Sequence, residues 1–105
     1  MEYKLMNDYD VDWPVWADEG AAAALELELP RRLTTEVRAW AKRFNDLYSY
    51  ETGWPDARTG RENEAEGKRL VEAIRRELNS GDSIVLRYWE TLNAGGSYWE
   101  TQRRR

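Results

Sequence analysis

Four acids come nearest to a chemical motif. Asp8, Asp10, Asp12 and Glu19 fall at positions 1, 3, 5 and 12 of a calcium-binding EF-hand loop. Their context argues against that chemistry. Such a loop needs glycine at position 6, where this chain has Trp13 followed by Pro14, and the preceding segment has no helical pattern. The string reads instead as an acidic turn, and no metal or cofactor is expected. The chain has no histidine and no cysteine. Their absence removes the commonest general base, any Ser-His-Asp or Cys-His arrangement, and any thiolate–imidazole zinc site. No glycine-rich phosphate cradle is present. With 20 acids in the chain, some carboxylate pair is inevitable by chance and says nothing about glycoside chemistry. The expected protein is not an enzyme.

What remains is binding. Six Trp and six Tyr stand beside a single Phe. Both types join a large apolar body to a polar handle and are enriched where a surface is part buried and part wet. The net charge of −4 is unevenly spread: residues 1–30 carry eight acids and one base, and the remainder is net positive. An acidic face speeds capture of a basic partner. The candidate partner-binding surface is therefore Asp8, Asp10, Asp12, Trp13, Trp16, Asp18, Glu19 and Trp54, aromatics ringed by carboxylates. The alternative for Trp13, Trp16 and Trp54 is structural, each pinning a loop to the core. The expected partner is a protein, a basic one such as a nuclease. Size, sign and lack of catalytic equipment match immunity proteins, antitoxins and phage anti-defence inhibitors by analogy. A competing reading is a nucleic-acid-associated accessory protein, using Arg31, Arg32, Arg38, Lys42 and Arg43 with exposed Trp for base stacking. The acidic chain has the wrong sign for phosphate affinity, so nucleic acid is the weaker expectation.

The elements that must position these residues can be read from periodicity. Leu33, Val37, Trp40, Ala41, Phe44, Leu47 and Tyr48 recur at steps of three and four, which predicts an amphipathic helix over 30–50. Pro30 suits the first helical position, where its missing N–H costs nothing. Thr59 and Glu62 have capping-box spacing, and Gly67, Leu70, Val71, Ile74 and Leu78 share one face, predicting a second helix over 60–79. Gly67 in a helix interior implies close approach by a bulky neighbour, Trp40 or Trp54. Residues 1–29 are expected to be an acidic extended segment: a short strand at Tyr3–Met6, an edge segment at Trp13–Trp16 and an alternating strand at Leu25–Leu29. Ser83–Trp89 is the best strand by composition. Its Tyr88-Trp89-Glu90-Thr91 repeats at Tyr98-Trp99-Glu100-Thr101 around a Gly-rich turn, which predicts a hairpin over 83–101. The expected architecture is a single α+β domain, 1–105, with two antiparallel helices on one face of a small, mostly antiparallel sheet. A homodimer through the last strand is a further expectation. The start carries neither a basic n-region nor an apolar h-region, and no apolar run approaches a membrane span, so a cytoplasmic setting is expected.

The Asp8-Tyr9-Asp10 string leading to Trp13-Pro14-Val15-Trp16 resembles the "DYG…PLW" opening of a family of short uncharacterised actinobacterial proteins. The Leu33, Val37, Trp40 step, the Gly53-Trp54 loop, the Glu64–Gly67 region and the Val85 to Tyr88 strand resemble it too. The resemblance implies no established activity and supplies no catalytic residues. The chain departs from it in carrying Asp10 where glycine is expected and in the added Tyr98-Trp99 segment.

Overall fold

The structure is a computed structural model and describes residues 1–90. Its elements run β1 (Glu2–Leu5), β2 (Val15–Trp16), α1 (Ala21–Glu28), α2 (Arg31–Leu47), α3 (Ala57–Glu77) and β3 (Ser83–Leu86). The α+β class holds. Three helices are present among the described residues rather than two.

The additional helix corrects the strand expected at Leu25–Leu29. Leu25 and Leu29, one helical turn apart, are both buried, while Leu27 between them is 89% exposed. A half-buried strand would have hidden all three. Leu and Glu favour the helix, and that propensity prevails over the period-two pattern. The 1–29 segment is therefore not extended throughout.

β1 is the central strand, in the order β2-β1-β3. It pairs antiparallel with β2 and parallel with β3. The sheet is mixed, not mostly antiparallel, because the helices form the connection that returns the chain to lie parallel beside β1. The second arm of the expected hairpin, Tyr98–Thr101, and with it the last-strand dimer, lie outside the described residues. Tyr3, Leu5 and Ile84 face the helices, whereas Lys4 and Val85 face outward.

α2 begins at Arg31, with Pro30 just outside as its cap residue; the Pro30 carbonyl accepts from the N–H groups of Leu33 and Thr34. α3 begins at Ala57, three residues before the expected start. Its cap is Asp56, whose side chain accepts from the Thr59 backbone N–H at 2.7 Å. Thr59 is thus a donor inside the helix and not the cap. α2 and α3 run antiparallel: Glu36 meets Arg69, Trp40 meets Asn63, and Arg43 meets Glu62. Between them Trp40 lies on Gly67, as its position in a helix interior implied. Leu5, Val37, Phe44, Trp54, Leu70, Ile74 and Ile84 form the centre of the core.

Candidate functional site

Residues 8–12 fold into a turn pinned to α2. The Val11 N–H reaches the Asp8 carbonyl, and Asp8 Oδ1 accepts from the Tyr9 N–H at 2.8 Å. Asn45 clamps the far side: its Oδ1 accepts from the Asp10 N–H at 2.7 Å, and its Nδ2 donates to the carbonyls of Val11 and Ala41. Asp10 sits at φ 63°, a left-handed backbone that glycine adopts freely. Glu19 does the same at φ 56°, just before α1.

The structure does not gather the eight candidate residues into one patch. Trp54 is corrected outright: it is 0% exposed, donates its indole N–H to the Glu90 carbonyl, and belongs to the core. Its loop is closed by the Ser49–Gly53 bridge, which turns the ring inward. Trp13 packs against the core, with its N–H on the Ala22 carbonyl at 2.8 Å. Trp16 lies across from Lys4 and donates to the Met6 carbonyl. It lines a shallow groove on the outer face of the sheet with Lys4, Asp18, Val85 and Arg87. Asp12 borders Arg38 and Lys42, and Asp8 and Asp10 share the clamped turn.

What the acids share is electrostatic. Among the described residues, Asp8, Asp10, Asp12, Asp18 and Glu19 make no ion pair. Of the nine acids in the helices, Glu26, Glu36, Asp46, Glu62, Glu64, Glu66 and Glu72 have cationic partners, and Glu28 and Glu77 have none among the described residues. Bonding to Arg69 holds the Glu36 carboxyl below its usual range. The basic residues of α2 are spent in the same way. Arg32, Arg38, Lys42 and Arg43 pair with Glu36, Glu26, Asp46 and Glu62, leaving only Arg31 of the five without a partner among the described residues. Four of the five cations on the back of α2 are thus engaged by carboxylates, which weakens it as a phosphate surface.

A second feature was not apparent from spacing. Tyr9, Phe44, Tyr48, Trp54 and Trp89 pack in one aromatic wedge, with neighbouring centroids 5.1–6.4 Å apart: Phe44 and Tyr48 stack, both meet Trp54 and Trp89 edge to face, and Tyr9 tilts against Phe44, Tyr48 and Trp89. Phe44 and Trp54 form its buried base; Tyr48 and Trp89 are half-buried, and Tyr9 is 44% exposed. Beneath lies Glu90, 0% exposed. Its carboxylate accepts from Asn7 Nδ2 at 3.0 Å and from the Trp89 N–H, with no cation among the described residues. Burial pushes the Glu90 carboxyl up to about 7 and Tyr48 up to about 12. The sequence signals for this wedge were Phe44 and Tyr48 on one helical stripe and Tyr9 lying between two aspartates in a turn.

A groove of about 320 Å³ runs between α2 and α3 over Ala39 and Trp40. Asn63 lines it, fully buried, with neither its side-chain oxygen nor its nitrogen hydrogen-bonded. Among the described residues no three acids converge as a metal set, and no helix is long and apolar enough to cross a membrane.

The model of one protein family, described as "Serratia CdiI immunity protein-like", matches residues 1–91. No curated protein matches the chain.

Proposed function

The chain belongs to the Serratia CdiI immunity protein-like family, and from that membership we propose a stoichiometric inhibitor that docks on a basic toxin through its acidic N-terminal segment. It works by occupying its partner, without catalysis. The segment comprises the clamped turn with Asp8, Asp10 and Asp12, and the Asp18–Glu19 corner before α1, with Trp13 and Trp16 on its flanks. One observation supports this reading above the rest. No ion pair among the described residues involves a side-chain carboxylate of residues 8–19, whereas seven of the nine acids in α1, α2 and α3 are paired, all but Glu28 and Glu77. Unpaired charge on an ordered turn is available to steer a basic partner and fix its register. A nuclease fits that sign, since a surface built for phosphate is itself basic. The cytoplasm is the proposed site of action.

The test is affinity capture from lysate of the source cell, with the wild-type chain and an Asp8→Lys/Asp10→Lys/Asp12→Lys variant as parallel baits. The wild type should retain a basic protein that moderate salt releases, and the variant should not. Retention of the same protein by both baits would remove the acidic segment from the interface.

A further inference from the structure

The chain already holds one guanidinium in a recognisable seat. Arg38 places its guanidinium carbon 5.6 Å from the centroid of the Trp13 ring and forks onto Glu26 with hydrogen bonds of 2.5 and 2.8 Å. The parts are an aromatic face, a carboxylate beside it, and an arginine to fill the space.

Tyr9 has the first two parts. Its ring leans on Phe44, Tyr48 and Trp89 with centroids 5.4, 6.4 and 5.9 Å away. Those rings are themselves fixed. The Trp89 N–H is held by the Asn7 carbonyl at 2.9 Å, and Phe44 is fully buried. The Asp8 carboxylate is tied to the Tyr9 N–H at 2.8 Å, and burial, reinforced by the nearby Asp8 charge, pushes the Tyr9 hydroxyl above its ordinary range. Asn45 holds the next residue in place. The result is an exposed aromatic rim, rigid on three sides and bordered by negative charge. Among the described residues no Lys or Arg pairs with Asp8 or stacks on Tyr9.

We propose that the rim of Tyr9, Tyr48 and Trp89 beside Asp8 is a second guanidinium seat, filled by an arginine side chain of the partner protein. The proposal rests on the docking reading above and names its anchor. A preorganised aromatic at the centre of a charged surface is where interface energy concentrates. Arginine fits better than lysine, because a planar guanidinium can stack on the ring while it forks onto a carboxylate. The anchor is then Tyr9, a residue in the acidic turn, and not Trp54.

The experiment is an NMR titration of the full chain, reading the Trp89 indole N–H and the Tyr9 ring protons. The probes are acetyl-Gly-Arg-Gly-amide and its citrulline counterpart, which keeps the shape and loses the charge. The arginine peptide should shift both signals saturably, and citrulline should bind about tenfold more weakly. Tyr9→Leu, which keeps apolar contact with Phe44, should weaken arginine binding about fivefold with an unchanged circular dichroism spectrum. Equal shifts from both peptides, or undiminished binding by Tyr9→Leu, would overturn the proposal. A chain ending at Gln102 that bound the probe more tightly would assign the seat to the chain's own arginines and also overturn it. The lysate capture separates the two readings. If Asp8, Asp10 and Asp12 reversal abolishes capture but the arginine peptide ignores Tyr9, the docking surface stands and this seat fails.

Discussion

The Trp40 indole rests on the bare backbone of Gly67: a Cβ added there would stand 2.9 Å from Trp40 Cζ2 and 3.1 Å from Leu86 Cδ1. The ring cannot retreat easily, because it is buried and its N–H is fixed on the Asn63 carbonyl at 2.8 Å. Glycine in a helix interior costs about 1 kcal/mol against alanine. Here that cost permits α2 and α3 to close around a tryptophan. Gly67→Ala should therefore destabilise, by about 1–2 kcal/mol, because overpacking outweighs the gain in propensity. Urea unfolding would check the sign. A rise in midpoint would mean that the ring has room to shift.

That contact shows what the sequence could carry. Gly67 on a helix stripe implied a bulky neighbour, Trp40 or Trp54, and the structure puts Trp40 there. Patterns that repeat over four or five turns survive any local ambiguity. The failures lie where patterns are short. Five residues of alternating Leu and Glu fit a strand or a little over one helical turn equally well, and only burial of Leu25 with Leu29 decides. The aromatic wedge was illegible for another reason. Its rings come from residues 9, 44, 48, 54 and 89, and although Phe44 and Tyr48 share the α2 stripe, no periodicity links them to Tyr9, Trp54 or Trp89. Six tryptophans drew the candidate site toward the largest side chains, whereas Trp54 sits at the base of the wedge and Tyr9 at its rim. The acidic segment was visible by composition. Its clamp, a single Asn45 on the exposed side of α2, was not.

Stability should fall as pH rises through the window set by Glu90. Its carboxyl titrates near 4.5 when exposed and at about 7 in the fold, chiefly because burial disfavours the charge. Tyr9, Tyr48, Tyr88 and Glu64 face it, and none supplies a positive charge. Between those values the folded chain binds a proton that the unfolded chain has released. Unfolding free energy therefore decreases with pH, by up to about 3 kcal/mol from this one group. Glu36 and Asp56, held below their usual range, act in the opposite sense in more acidic solution. Thermal melts from pH 5 to 8 should show wild type losing more stability than Glu90→Gln, with the variant the more stable at pH 8. Parallel curves would place the Glu90 pKa near its ordinary value.

Asn63 is a liability in the free protein. Both polar atoms of its amide are buried without a hydrogen bond. Each such group costs about 1–3 kcal/mol of lost hydration. Asn63→Leu, which fills similar space without polar atoms, should raise stability by about 1–2 kcal/mol, seen as a higher urea midpoint with unchanged slope. A fall instead would mean that buried water satisfies the amide, which the apolar side chain then displaces.

Asn45 offers a way to separate charge from order in the acidic turn. Its side chain bonds the backbone at Asp10, Val11 and Ala41 and touches no carboxylate through a hydrogen bond. Asn45→Ala removes the clamp and leaves every charge of the segment in place. Loss of the three bonds should cost about 1–2 kcal/mol of stability. If the turn docks as a preformed surface, the variant must also pay ordering entropy on binding, and affinity for the captured partner should drop about tenfold. The kinetic signature distinguishes this from charge reversal. Loosening the turn should mainly speed dissociation, whereas reversing Asp8, Asp10 and Asp12 should mainly slow association and flatten its dependence on salt. Surface plasmon resonance at two ionic strengths would read both rates. Identical dissociation rates for wild type and Asn45→Ala would show that the partner engages the acids as diffuse charge, and that the clamp serves folding alone.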